Sequence, residues 1–213
     1  MSETFEEFCD DSKRELGRLA STGIPWLVGN AGRATGSWHP NGFVVFDLGP
    51  HALGALRLHI WPAGARQLRD DAAHVHTHVW DLCARVLSGV YREQLYELVG
   101  DDAGDGYQSA EIDYEHDRNT LEESGISFLR PTAVVTANPG EVHTVKAGIP
   151  HKTLIPDDSY SATLVLISGP RIGRASIYSR RPLPSAHYTR PAVGDALREG
   201  LLGELVKRIE DVR

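Results

Sequence analysis

At the start of the chain, Phe5, Phe8, Leu16 and Leu19 recur at helical spacing, which predicts a helix over residues 2–20 with Ser2 or Thr4 as its cap. At the other end, "GDALREGLLGELVKRIEDV" places Leu197, Leu201, Leu205 and Ile209 four apart, so an amphipathic helix is expected over 194–212. Between them the period shortens to two. "GFVVFDLG" (42–49) and "ALRLHIW" (55–61) read as strands, the second stopped by Pro62. "VYREQLYELV" (90–99) follows Ser88-Gly89 and reads as the hairpin partner of the preceding segment. "YQSAEIDYEH" (107–116) is a further strand, and the polar residues 117–127 are expected to form a surface excursion.

Strand-like pieces resume at "AVVTA", "EVHTV", "HKTLI" and "SATLVLISG", punctuated by "NPG", "KAGIP" and "PDDS". Short strands at this spacing without intervening helices argue for an all-β sandwich or barrel, one domain with helical ends. The Gly- and Pro-rich stretch 21–53 carries "GNAGRATG", whose glycines loosely resemble a dinucleotide loop. It lacks the strand–helix setting such a loop needs, so it reads as a turn, as does "GPRIGR" (169–174).

Composition narrows the field. With 213 residues, 41% hydrophobic and 24% charged, the chain can bury a sizeable core. A formal charge of −7 without any Lys/Arg block argues against a nucleic-acid partner. No apolar run approaches the roughly 20 residues of a membrane span. The acidic "MSETFEEFCDDSKREL" lacks the regions of a signal peptide, and two cysteines, Cys9 and Cys83, form no disulfide framework. The expected location is the reducing cytoplasm.

The chemistry concentrates in "HVHTHVWDLCARVLSG" (74–89). In an extended chain alternate residues share a face, so His74, His76 and His78 point one way, and Trp80, Leu82, Ala84 and Val86 continue that face. Two imidazoles at i and i+2 supply half of a metal site, and "GEVHTVKAGIPHKTLI" (140–155) offers His143 and His151 as further donors.

These two segments resemble the motifs of the cupin superfamily, G-x5-H-x-H-x3-E-x6-G and G-x5-P-x-G-x2-H-x3-N. Counting back from Gly89 places the paired histidines at His76 and His78; counting from Gly140 places the ligand histidine at His151 and a motif glycine at Gly148. Asp70, Lys146 and Ile155 depart from the pattern, and Leu82 stands where the glutamate ligand would be. The resemblance covers about residues 54 to 170. It implies a double-stranded β-helix barrel over about residues 42 to 180, and a metal held by His76, His78 and His151. A site of three histidines resembles the thiol dioxygenase branch of the cupins, and "HTHVWDL" looks like uncharacterised bacterial cupins with H-x-H-x-W-D. Asp81, beside the vacant glutamate position, is the alternative that would give a two-His-one-carboxylate triad. A regular strand points it away from the histidines.

Among the remaining histidines, His143 is expected as a pocket residue and His74 as exposed or behind the ligands. His39, His51, His59, His116 and His187 have no motif support and read as surface or packing residues. Cys83 has the opposite parity to the ligands and reads as a buried small hydrophobe. After Gly89, Arg92, Gln94, Tyr96 and Leu98 form one face and Tyr91, Glu93, Leu95, Glu97 and Val99 the other. With the first face inward, Arg92 would clamp a carboxylate and Tyr96 would donate a hydrogen bond near the metal.

All-nitrogen ligation suits Fe(II), with Ni, Mn, Zn or Cu as alternatives. The resemblance therefore implies an Fe(II)-dependent dioxygenase-like enzyme using O2 on a small polar metabolite. A redox-neutral isomerase or lyase and a small-ligand-binding barrel stand beside it, because one fold hosts all three. A homodimer is expected by family analogy.

Overall fold

The computed structural model describes residues 3–67, 75–101, 103–115, 118–183 and 187–211. The expectations for Asp70, His74 and His116, and for the side chain of His187, lie outside the described residues.

Helix α1 (Phe5–Ser21) is opened by Thr4, whose hydroxyl accepts from the Glu7 N–H while the Glu7 carboxylate accepts from the Thr4 N–H. Its inner side buries Phe8, Leu16 and Leu19. Helix α2 (Ile24–Ala31) falls in the stretch expected to be turn-rich. Pro25 lies in its first turn, where a missing N–H costs nothing.

Thirteen strands follow among the described residues: β1 (Thr35–Trp38), β2 (Val44–His51), β3 (Gly54–Trp61), β4 (Val75–His76), β5 (Trp80–Gly89), β6 (Tyr91–Val99), β7 (Asp105–Glu115), β8 (Arg118–Ala137), β9 (Val142–Val145), β10 (His151–Thr153), β11 (Ser161–Pro170), β12 (Ala175–Ser179) and β13 (His187–Thr189). Helix α3 (Asp195–Glu210) closes the fold. No described helix is long and apolar enough to cross a membrane.

All pairings are antiparallel, in a six-stranded sheet β1-β2-β3-β11-β5-β9 and a seven-stranded sheet β13-β8-β6-β10-β4-β12-β7. β5 and β6 are not hairpin partners. The chain crosses at Gly89 from the first sheet to the second, so β5 pairs with β9 and β11 while β6 pairs with β8 and β10. Gly89 takes φ +72, and a Cβ there would stand 2.0 Å from the Tyr160 carbonyl oxygen, so only glycine fits this corner. Residues 118–127, expected as an excursion, form the first half of β8 and pair with β7; the second half pairs with β6. Polar side chains are compatible with a strand that leaves one face to water.

β11 shows why the first sheet is central: Ser161–Ser168 are buried at every position. Ala162, Leu164 and Leu166 pack with α1 and α3 residues such as Phe8, Leu16 and Leu205. Val165 and Ile167 face the barrel with Leu82, Ala84 and Val145. Each leucine fully buried there contributes roughly 1.5–3 kcal/mol. Cys83, on the helix side of β5, is fully buried in that outer core.

Candidate metal centre

His76 and His151 are direct partners across the β4–β10 ladder. His78 follows His76 after Thr77, which turns outward to exchange hydrogen bonds with Ser176: the Thr77 N–H donates to the Ser176 carbonyl (2.8 Å), and the Ser176 N–H to the Thr77 hydroxyl (2.7 Å). The Gly148 N–H donates to the His78 carbonyl at 3.0 Å, tying the loop of the second motif to the strand of the first. Gly148 reaches this position with φ +79.

The three rings converge, with centroids 4.4 to 5.0 Å apart, and one ligating atom from each lies within 4.8 Å of the others. His151 Nδ1 is 2.8 Å from the Ile149 carbonyl oxygen. A carbonyl only accepts, so Nδ1 carries a proton, which leaves Nε2 as the nitrogen available to ligate. The buried Nδ1 of His78 has no hydrogen-bond partner among the described residues. Burial, and then the neighbouring His151, His76, His39 and Arg57, hold the His78 imidazole well below its ordinary pKa. Convergent imidazoles with a buried unsatisfied nitrogen are the donor set that a divalent transition metal requires, so these residues fit such an ion.

Glu93, Tyr91 and His143 form the floor. Glu93 is 1% exposed, its Oε2 2.5 Å from His143 Nε2 and its Oε1 accepting from the Tyr91 hydroxyl at 2.8 Å. Oε1 also stands 3.9 Å from His151 Nε2. Burial pushes the Glu93 carboxyl up, but His151, His143 and Tyr91 more than offset this and hold it down to about 2.

On the other side the residues are less deeply buried. Trp80 stacks on His78 with centroids 5.6 Å apart, and the Arg57 guanidinium lies 5.3 Å above the Trp80 ring. His39 sits 5.9 Å from His76 and stacks on Phe43, which in turn meets His59. Burial, followed by the charges of Arg57 and Arg190, holds His59 down to about 3, and His39 is likewise held well below its ordinary value by burial and Arg190. Expected as surface or packing residues, these two histidines belong instead to the wall of the chamber. His51 does lie away from it, bonded to Glu15 at 3.1 Å.

The face assumed for β6 is inverted. Tyr91 and Glu93 point into the barrel, whereas Arg92 is exposed and Tyr96 packs outside with Val75, Tyr107, Leu129 and Tyr178. Neither Arg92 nor Tyr96 reaches the histidines. The ladder to β10, with Thr153 opposite Glu93 and Lys152 opposite Gln94, fixes that orientation. His143 is buried beneath the histidine cluster, bonded to Glu93. Asp81 faces away and is occupied: its Oδ1 accepts from the Ala147 N–H (2.9 Å) and its Oδ2 from Arg171 Nε (3.0 Å). Leu82 fills the vacant glutamate position within an apolar cluster.

The sequence signal for Glu93 was slight. Its face of β6 holds three apolar residues in five, against two in four on the opposite face.

No protein-family profile and no curated protein matches the chain. Solved structures similar to it include a DMSP lyase (19% identity, TM-score 0.35, covering 65% of this chain and 53% of that one). Others are an oxalate decarboxylase from Lactobacillus farciminis in a formate complex (17%, 0.34, 68% and 33%) and a cupin-like protein from Thermotoga maritima (12%, 0.28, 78% and 87%). The chain thus spans about half the length of the first and a third of the second. The register counted from Gly89 and Gly140 brings His76, His78 and His151 together inside an antiparallel two-sheet fold, the arrangement that the resemblance to the cupin motifs implies.

Proposed function

We propose that this protein is a cupin and a metal-dependent enzyme acting on a small polar, anionic metabolite, with Fe(II) as its ion and dioxygenase-type chemistry. The observation that carries the reading is the ligand set: three convergent imidazoles and no carboxylate among them. An ion bound there keeps its full double charge, favouring an anionic bidentate substrate and O2 on the remaining positions. The protein's own groups suit that substrate. Arg57, above Trp80, supplies positive charge at the mouth, and Trp80 shields the His78 side from water. Tyr91 and His143 hold the Glu93 carboxylate in place.

A redox-neutral isomerase or lyase is the second reading, supported by that same carboxylate, a proton acceptor 3.9 Å from His151. Oxygen uptake by iron-loaded protein over a panel of small hydroxy, amino and thiol acids separates the two. Substrate-dependent oxygen consumption supports the first. Conversion without oxygen consumption supports the second, and tight binding without conversion of any compound would favour a binding protein over both.

A further inference from the structure

The Oε1 of Glu93 and Nε2 of His151 face each other across 3.9 Å of buried space. That is too long for a hydrogen bond. Moreover, with its proton on Nδ1, His151 would bind an ion through Nε2, whose lone pair then points into the same space. An ionised carboxylate has about four acceptor sites, and Tyr91 and His143 fill one on each oxygen. Oε1 therefore keeps an acceptor site toward the histidine cluster, opposite a second acceptor. Two buried acceptors facing one another are costly unless a donor or cation lies between them. Atoms bound to one ion at about 2.1 Å stand roughly 3 to 4.2 Å apart, so an oxygen 3.9 Å from Nε2 is in the neighbourhood of whatever else that ion holds.

The chamber is thus polarised, with a carboxylate at the closed end beside His151 and a guanidinium on the less buried side beyond Trp80 and His78. We propose that Glu93 is the acceptor for a protic group held at the three-histidine cluster, and that the ligands of this site are small hydroxycarboxylates. Their O–H lies toward Glu93 and their carboxylate toward Arg57. The proposal rests on the metal reading above and adds to it. A bare anionic oxygen at the closed end would meet the Glu93 charge, whereas a hydroxyl there donates to it. Glu93 is on this account a catalytic residue, since it touches the bound reacting group.

The test uses the full chain loaded with Co(II), whose visible absorption reports ligand binding without turnover. The probes are lactate and methoxyacetate, isomers that share a carboxylate but differ in whether the second oxygen carries a proton. Wild-type protein should bind lactate at least about tenfold more tightly, the worth of one hydrogen bond to a charged group. In Glu93→Gln, of nearly the same shape, that preference should shrink to about twofold while the cobalt stays bound. Equal affinities in the wild type overturn the proposal without any variant, and so does a full preference surviving in Glu93→Gln; both leave the metal site standing. Wild-type protein that takes up no cobalt at the three histidines overturns the metal reading, and this proposal with it.

Discussion

Oε2 of Glu93 lies 2.5 Å from Nε2 of His143, and both side chains are almost wholly shut off from solvent. The pair forms the floor beneath the histidine cluster, with His143 on the six-stranded sheet and Glu93 on the seven-stranded one. It is therefore a bond between the two layers. Removing one partner leaves the other polar group buried without its donor. His143→Ala should cost about 3–5 kcal/mol of stability, read as a shift of the urea midpoint. Its metal content should stay near that of the wild type, because His143 is outside the convergent triad.

Acid should destabilise the metal-free protein in two stages. His59 is held from 6.5 down to about 3, chiefly by burial, and His39 and His78 are held well below 6.5 for the same first reason. Between those values the unfolded histidines bind protons that the folded ones refuse, so stability falls as pH drops below about 6.5. Glu93, lowered from 4.5 to about 2, contributes stability above 4.5 that is lost as pH falls toward 2. Urea midpoints measured between pH 8 and pH 3 should be level at the top of the range and decline steadily below pH 6.5. A flat profile down to pH 4 would contradict the assignment of three neutral, buried imidazoles.

Asp81 and Arg92 are predicted to be structural and neutral, respectively. Asp81→Asn should keep the metal and lose roughly 1.5–3 kcal/mol, the worth of a hydrogen bond to a charged group, because it weakens the contacts to Arg171 and Ala147. Arg92→Ala alters an exposed side chain and should shift stability by no more than about 0.5 kcal/mol, with metal content and ligand binding unchanged. Denaturation and metal analysis on the two variants check both statements.

The parts of the site that could be read from the sequence were those governed by spacing. In β5 the alternation is unambiguous, so Leu82, Ala84 and Val86 face the barrel and Cys83 the helices, as parity requires. The two motifs fix His76, His78 and His151 by counting alone. What was lost depended on long-range pairing. β6 is amphipathic on neither face, and a register shift between Gln94 and Tyr96 interrupts its alternation, so only its ladder with β10 orients it. The same ladder brings in Glu93, the carboxylate that the vacant position at Leu82 had made a question. His39 and His59 reach the chamber through the packing of Phe43 and Trp61, which no local pattern encodes. The first half of β8 escaped the reading because it is polar, and α2 because Pro25 and Gly29 interrupt a short apolar run.

The central claim is that His76, His78 and His151 hold one transition-metal ion. Metal content per chain, measured on protein purified without chelator and reloaded with Fe(II) without air, tests it most directly. The wild type and His143→Ala should each hold close to one ion per chain, whereas His76→Ala, His78→Ala and His151→Ala should each lose most of it, with affinity falling at least about 10- to 100-fold. Metal retained in His151→Ala but absent from His143→Ala would contradict the account.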